Sequence, residues 1–137
     1  MSLLARWKEV VKTKPDAPAL IISLTINPSS TTISFRDLDR SSDALAGFLL
    51  AAGLVTFDRV GLDFHPSQPG EIVALLAVVK CGAIAVPLRS FCDEIVADAG
   101  LRLALVPRCD GEEAASLPAT LPLLRLGPRG EVDADDA

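Results

Sequence analysis

The chain has 137 residues, a length suited to one domain of ordinary size. Half of them are hydrophobic and mean hydropathy is +0.39, so core material is abundant and some apolar surface is left for a partner. Charge is uneven. Residues 1–106 carry 10 basic and 11 acidic side chains, a net of −1, and residues 107–137 carry 3 and 7, a net of −4; without a Lys/Arg stripe, nucleic acid has no electrostatic footprint to bind.

Leu3, Leu4, Trp7, Val10 and Val11 share one face of a helix, with Ser2 as its N-cap and Pro15 as its stop. Leu20, Ile21, Ile22, Leu24 and Ile26 predict a strand. Asn27-Pro28-Ser29-Ser30 is turn chemistry, and Thr31–Phe35 resumes extended character, which makes a β-hairpin. A second helix is predicted over 36–52, with Leu38, Leu45, Phe48, Leu49 and Ala52 on one face and Gly53 as its stop. A strand over 58–64 leads to the loop His65-Pro66-Ser67-Gln68-Pro69-Gly70. Glu71 then opens a helix, stopped by Gly82, that is apolar almost all round and so is expected to be buried on more than one side.

A strand over 83–87, a helix over 91–99 capped by Ser90 and ended by Gly100, and a strand over 101–106 complete the regular part. The order αββαβαβαβ predicts an α/β fold: a mostly parallel sheet flanked by helices, with a β-hairpin near the N-terminus. The domain is expected to span 1–106. Residues 107–137 form a Pro/Gly-rich acidic tail with a further strand at 121–126 and a disordered end from 127.

Chemistry is scarce. Cys81, Cys92 and Cys109 form no C-x-x-C pair, and the single histidine, His65, has no thiol near it in sequence, so no metal site is expected. Cys81 and Cys92 read as buried thiols and Cys109 as an exposed one, in keeping with a reducing compartment. The N-terminus lacks an uninterrupted apolar core and a small-residue cleavage site, so it is not a signal peptide, and no apolar run approaches membrane length. The cytosol is the expected location.

Parallel sheets bind ligands beyond the carboxyl ends of their strands. His65 falls there as a candidate base without a nucleophile or an orienting carboxylate. Arg89 and Ser90 fall there as a candidate anion site at a helix start. The adjacent acidic pairs Asp93-Glu94 and Glu112-Glu113 diverge on a helix and read as solvated. Cys81, at the end of an apolar helix, is no nucleophile. Neither nucleotide-binding glycine fingerprint nor a G-x-S-x-G elbow occurs. No catalytic residue is assigned, and the cofactor-binding residues are unknown.

Four phrases in order carry a resemblance. They are Pro15-Asp16-Ala17-Pro18-Ala19, like P-D-x-x-A; Ile33-Ser34-Phe35-Arg36-Asp37-Leu38, like L-[TS]-[YF]-x-E-L; Phe57-Asp58-Arg59-Val60-Gly61, like G-D-R-V-A; and Val79-Lys80-Cys81-Gly82-Ala83-Ile84-Ala85-Val86-Pro87-Leu88, like L-K-A-G-A-x-x-V-P-L. Over about residues 8–106 the chain resembles the opening of the adenylate-forming superfamily: acyl-CoA synthetases, adenylation domains of nonribosomal peptide synthetases, and beetle luciferases. The resemblance implies descent from an enzyme that activates a carboxylate with ATP and Mg for transfer to a thiol. The family's phosphate loop, [ST]-[SG]-G-T-T-G-x-P-K, and its catalytic lysine domain are absent. The implied protein is a truncated family member that is inactive and cofactor-free alone, and that becomes half of a split enzyme if a second chain completes the domain. A noncatalytic interaction or regulatory module on the same scaffold is the alternative, and a self-contained domain with a small-molecule site near Arg89 and Ser90 is the third.

Overall fold

A computed structural model describes residues 2–23, 30–63, 69–88, 93–107 and 121–132. Helix α1 (Leu3–Thr13) begins where Ser2 accepts a hydrogen bond from the Ala5 amide at 3.1 Å. Strands β1 (Pro18–Ser23) and β2 (Ser30–Ser34) pair antiparallel, with Ile21 opposite Thr32. Leu24, Ile26 and the turn residues 27–29 lie outside the described residues. Ser34 caps α2 (Phe35–Ala51) by accepting from the Asp37 amide at 3.1 Å, satisfying one orphan donor of the first turn.

Strands β3 (Arg59–Leu62), β4 (Ile84–Pro87), β5 (Leu101–Pro107) and β6 (Leu123–Leu126) form one all-parallel sheet in the order β4-β3-β5-β6. Helix α3 (Pro69–Lys80) links β3 to β4 and α4 (Asp93–Ala99) links β4 to β5. The first link steps one way across the sheet and the second steps back past β3. Right-handed crossovers therefore put α3 and α4 on opposite faces. Proline at the first position of α3 suits a helix start, where its missing N–H is no loss. Gly53, Gly82 and Gly100, expected as helix stops, all have positive φ just past a helix end.

The alternation of β-strand side chains divides the core in two. Val60, Leu62, Ala85, Leu103, Leu105, Leu124 and Leu126 face α2 and α3 in the main core. Ala104 and Val106, with Leu88, Leu101, Leu121 and Leu123, form a smaller cluster apart from it. Helix α3 lies between the sheet and α2: Val73, Ala74, Ala77, Val78 and Cys81 are buried, and only Leu75 on its apolar stretch is substantially exposed. This is the two-sided burial expected of a helix that is apolar all round.

The further strand expected at 121–126 is β6, and it joins the same sheet as β5, with Ala104 opposite Leu123 and Pro107 opposite Leu126. Beyond it the ordered chain continues to Val132, where disorder was expected from 127. Gly127-Pro128-Arg129-Gly130 turns back, Leu126 bridges Val132, and the Gly70 amide donates to the Pro128 carbonyl at 2.9 Å. Gly130 (φ +82°) lies so close to α3 that an added Cβ would sit 2.5 Å from Val73 Cγ1. The small, close contact of Gly70, Gly127 and Gly130 makes this turn a clamp on the start of α3.

The other end of α3 is held by charge. Lys80 Nζ, on a side chain 11% exposed, donates to Asp39 Oδ1 and Asp43 Oδ1 at 2.7 Å each and to Ser42 Oγ at 2.8 Å. Trp7 Nε1 donates to the same Asp39 Oδ1 at 2.8 Å, so one carboxylate joins α1, α2 and α3. Partial burial pushes Asp39 up, and the hydrogen bonds from Lys80 and Trp7 outweigh it and hold its carboxyl below its ordinary value. Each fully buried valine or leucine contributes about 1.5–3 kcal/mol, so Leu45, Leu49, Val73 and Val78 are major contributors alongside Val60, Leu105 and Leu126 in the sheet. The Lys80 network fixes how the helices align.

Three substitutions test this geometry. Gly130→Ala loses about 2–4 kcal/mol in urea unfolding through overpacking against Val73. Gly47→Ala, mid-helix with open space around it, gains about 0.5–1 kcal/mol. Lys80→Met loses about 1–3 kcal/mol at neutral pH, and the emission of Trp7, the only tryptophan, shifts to the red. A depressed folded pKa stabilises above the unfolded value and is lost as pH falls through the folded one. The stability gap between wild type and Lys80→Met therefore narrows as pH falls through the ordinary carboxylate range and on through the lowered folded pKa of Asp39.

Candidate functional site

The strand order reverses between the neighbours β3 and β5, since β4 lies beyond β3 and β6 beyond β5. The carboxyl ends at such a switch point are the usual ligand position in a doubly wound sheet. Its described floor is backbone: the Asp63 amide donates to Leu105 O at 3.2 Å and the Leu88 amide to Leu62 O at 2.8 Å. Its near wall is the first turn of α3 with the Gly127–Val132 turn seated on it. Glu131 organises that turn, its carboxylate accepting from the Arg129 amide at 2.7 Å and its carbonyl accepting from the Gly127 amide at 2.9 Å.

Between this turn and α2 runs a cavity of about 450 Å³, lined by Ser41, Ala44, Leu45 and Phe48 on the helix and Arg129 to Val132 on the turn. It holds one cation, one carboxylate and one hydroxyl among apolar walls, with no nucleophile–base pair. A helix start with free amides attracts anions, but here the Gly70 amide is already satisfied by Pro128. Asp63 and Glu71 bring negative charge to the end of β3 and the start of α3. The described edge therefore does not by itself fit a nucleoside triphosphate with its magnesium ion, and no reaction step is routed through one.

Of the residues singled out in the sequence, His65, Arg89, Ser90, Cys92, Cys109, Glu112 and Glu113 lie outside the described residues. Glu94 is exposed on α4. Cys81 is buried and donates to Ala46 O at 3.5 Å, and burial pushes its thiol up, the opposite of an activated nucleophile. Among the described residues no three His, Cys, Asp or Glu side chains gather as a metal site, and no helix is long and apolar enough to cross a membrane. The clamp turn was missed in the sequence although Gly-Pro-Arg-Gly is turn chemistry. The Lys80 network was missed because its partners lie 37 to 41 residues away.

Comparison with known proteins places this arrangement. Residues 7–133 match the model of the AMP-binding enzyme family. The chain is 33% identical over 116 residues to feruloyl-CoA synthase of Amycolatopsis sp, covering 81% of this chain and 23% of that protein. Among solved structures, NpsA-ThdA, an artificially fused adenylation–PCP di-domain NRPS from Klebsiella oxytoca, is 25% identical with TM-score 0.69, covering 87% of this chain and 23% of that one. The fatty acyl-adenylate ligase from L. pneumophila, solved with acyl adenylate and pyrophosphate, shares the fold at TM-score 0.74 and 23% identity, again over 90% of this chain and 23% of that one. The chain thus spans about a quarter or less of the length of the curated relatives it matches. With the family model spanning nearly the whole described fold, from Trp7 on α1 to the turn after β6, the chain belongs to the AMP-binding, adenylate-forming enzyme family.

Proposed function

We propose that this chain is a truncated adenylate-forming protein that supplies the amino-terminal scaffold of an enzyme activating a carboxylate with ATP for transfer to a thiol, and that it is inactive alone. The observation that carries this reading is the family match over residues 7–133 combined with a carboxyl edge whose described groups are backbone, two carboxylates and a clamped helix start. Phosphoryl chemistry needs cations or free amides aimed at the developing charge. Those groups would come from further polypeptide, the remainder of the domain, supplied as a second chain in a split enzyme. The buried, unactivated thiol of Cys81 suits the cytosol.

A noncatalytic interaction module is the second reading, favoured by the apolar side chains left in solvent at the end of α2, before β3 and at the start of β4. The two separate on one assay. Purified chain incubated with Mg-ATP, labelled pyrophosphate and a carboxylate panel (acetate, octanoate, ferulate, amino acids) gives no exchange above the protein-free blank. Carboxylate-dependent exchange by the chain alone would overturn the scaffold reading. The same mixture supplemented with the feruloyl-CoA synthase of Amycolatopsis sp lacking its own aligned segment acquires exchange if the chain is a catalytic half. It stays silent if the chain is only an interaction module.

A further inference from the structure

Seven large hydrophobic side chains stand in solvent among the described residues, and four of them gather at the amino-terminal pole of the sheet. They are Leu50, 52% exposed; Val55, 60%; Phe57, 77%; and Ile84, 41%. Leu50 is in the last turn of α2, Val55 and Phe57 lie on the connection from α2 into β3, and Ile84 opens β4, all away from the carboxyl edge. The connections into β3 and into β4 are tied together, the Phe57 amide donating to Gly82 O at 3.0 Å and the Ile84 amide to Asp58 O at 2.8 Å. No charged residue occurs from Ala44 to Phe57 or from Cys81 to Leu88. The patch borders a mostly apolar groove of about 250 Å³ whose lining includes Phe48, Ala52, Leu54 and Leu123 together with one cation, Arg102.

Phe57 is the unusual member. Its φ is +69°, the one positive value at a non-glycine position among the described residues. That region is disfavoured for an aromatic residue. The conformation is enforced on both sides: Asp58 accepts from the Val55 amide through its carboxylate at 2.9 Å, and its amide donates to Val55 O at 3.1 Å. A strained, hydrogen-bonded turn thus holds the backbone that carries this large apolar ring in one conformation, with the ring in water. Such preorganisation lowers the entropy cost of burying it against something.

We propose that this pole is a self-association surface, through which two copies of the chain pair about a two-fold axis with Phe57 near its centre. The four side chains expose on the order of 400–500 Å² per copy, more than soluble surfaces ordinarily leave in one apolar patch. Two such faces, with the alanine and glycine surface between them, bury about 1,000 Å², the lower bound for a specific interface. Each copy carries a net charge of −5, but the charges beside this face are Asp58, Arg59 and Arg102, the first and last 4.0 Å apart, so the excess negative charge lies elsewhere. An isologous pair of this kind leaves both carboxyl edges free, so it is independent of the catalytic question.

Sedimentation equilibrium of the full chain from about 5 to about 200 µM, a range that brackets micromolar dissociation constants, tests this. The wild type is expected to shift from monomer to dimer over that range. Phe57→Glu weakens dimerisation at least about tenfold. Phe57→Gly also weakens it but raises the urea midpoint of unfolding, because glycine accepts the positive φ; opposite movement of the two readouts rules out misfolding as the cause. Leu3→Glu, equally exposed but on α1, leaves the dimer intact. A chain that stays monomeric at the top concentration, a dimer indifferent to Phe57→Glu, or one weakened as much by Leu3→Glu as by Phe57→Glu would overturn the proposal.

Discussion

The burial of α3 on two sides is the constraint on which the rest of the structure depends. A helix with apolar residues on nearly every face cannot stand at a surface. The sheet covers one flank through Val60, Leu62 and Leu105, and α2 covers the other through Leu45 and Leu49. That arrangement sets where α2 must lie, and α2 in turn carries α1, through Trp7 and the tilted Trp7–Phe35 pair at 5.6 Å. Both ends of α3 are then fixed by unlike means. Steric contact with Gly130 holds the start, and a lysine shared among Asp39, Ser42 and Asp43 holds the finish.

The same constraint shapes the functional reading. A clamped helix start is a good wall and a poor anion site, because its first amide already has a carbonyl partner. The carboxyl edge is therefore built as a platform. Its family relationship is to enzymes that form adenylates, and its own contribution is a rigid parallel sheet whose strand ends present backbone. Stability is concentrated in the α2–α3–sheet contact, while exposed apolar groups are concentrated at the far pole. The two ends of the strands thus have different physical characters: one polar and backbone-lined, the other largely apolar, with Asp58, Arg59 and Arg102 at its margin.

Much of this was legible in the sequence where the signal is local. Ser2 and Ser34 sit where N-caps belong, Gly53, Gly82 and Gly100 where helices stop, and the 3.6-residue periodicity of Leu38, Leu45 and Leu49 marks the face that is buried. The parallel order followed from strand–helix alternation after residue 58. The illegible parts are those set by distant pairing. Residues 127–132 look like tail by composition and are ordered only because Gly130 meets Val73 across 57 residues. Lys80 looks like a surface charge at a helix end and is buried only because α2 brings two aspartates to it. Positive φ at Phe57 was also hidden, since nothing in a lone phenylalanine predicts it. The candidate site was legible as a place, the carboxyl edge, but not as a set of groups, because His65, Arg89 and Ser90 fall outside the described residues.

The central claim is that this chain is scaffold for an adenylate-forming site and does not hold the nucleotide itself. Titration of Mg-ATP into the isotopically labelled chain, followed by amide resonances, tests it most directly. The account predicts no saturable perturbation at Asp63, Gly70 or Gly130, the backbone amides of the carboxyl edge. Saturable, localised shifts at those amides with a dissociation constant of about 1 mM or tighter, equivalent to about 4 kcal/mol of binding, would contradict it.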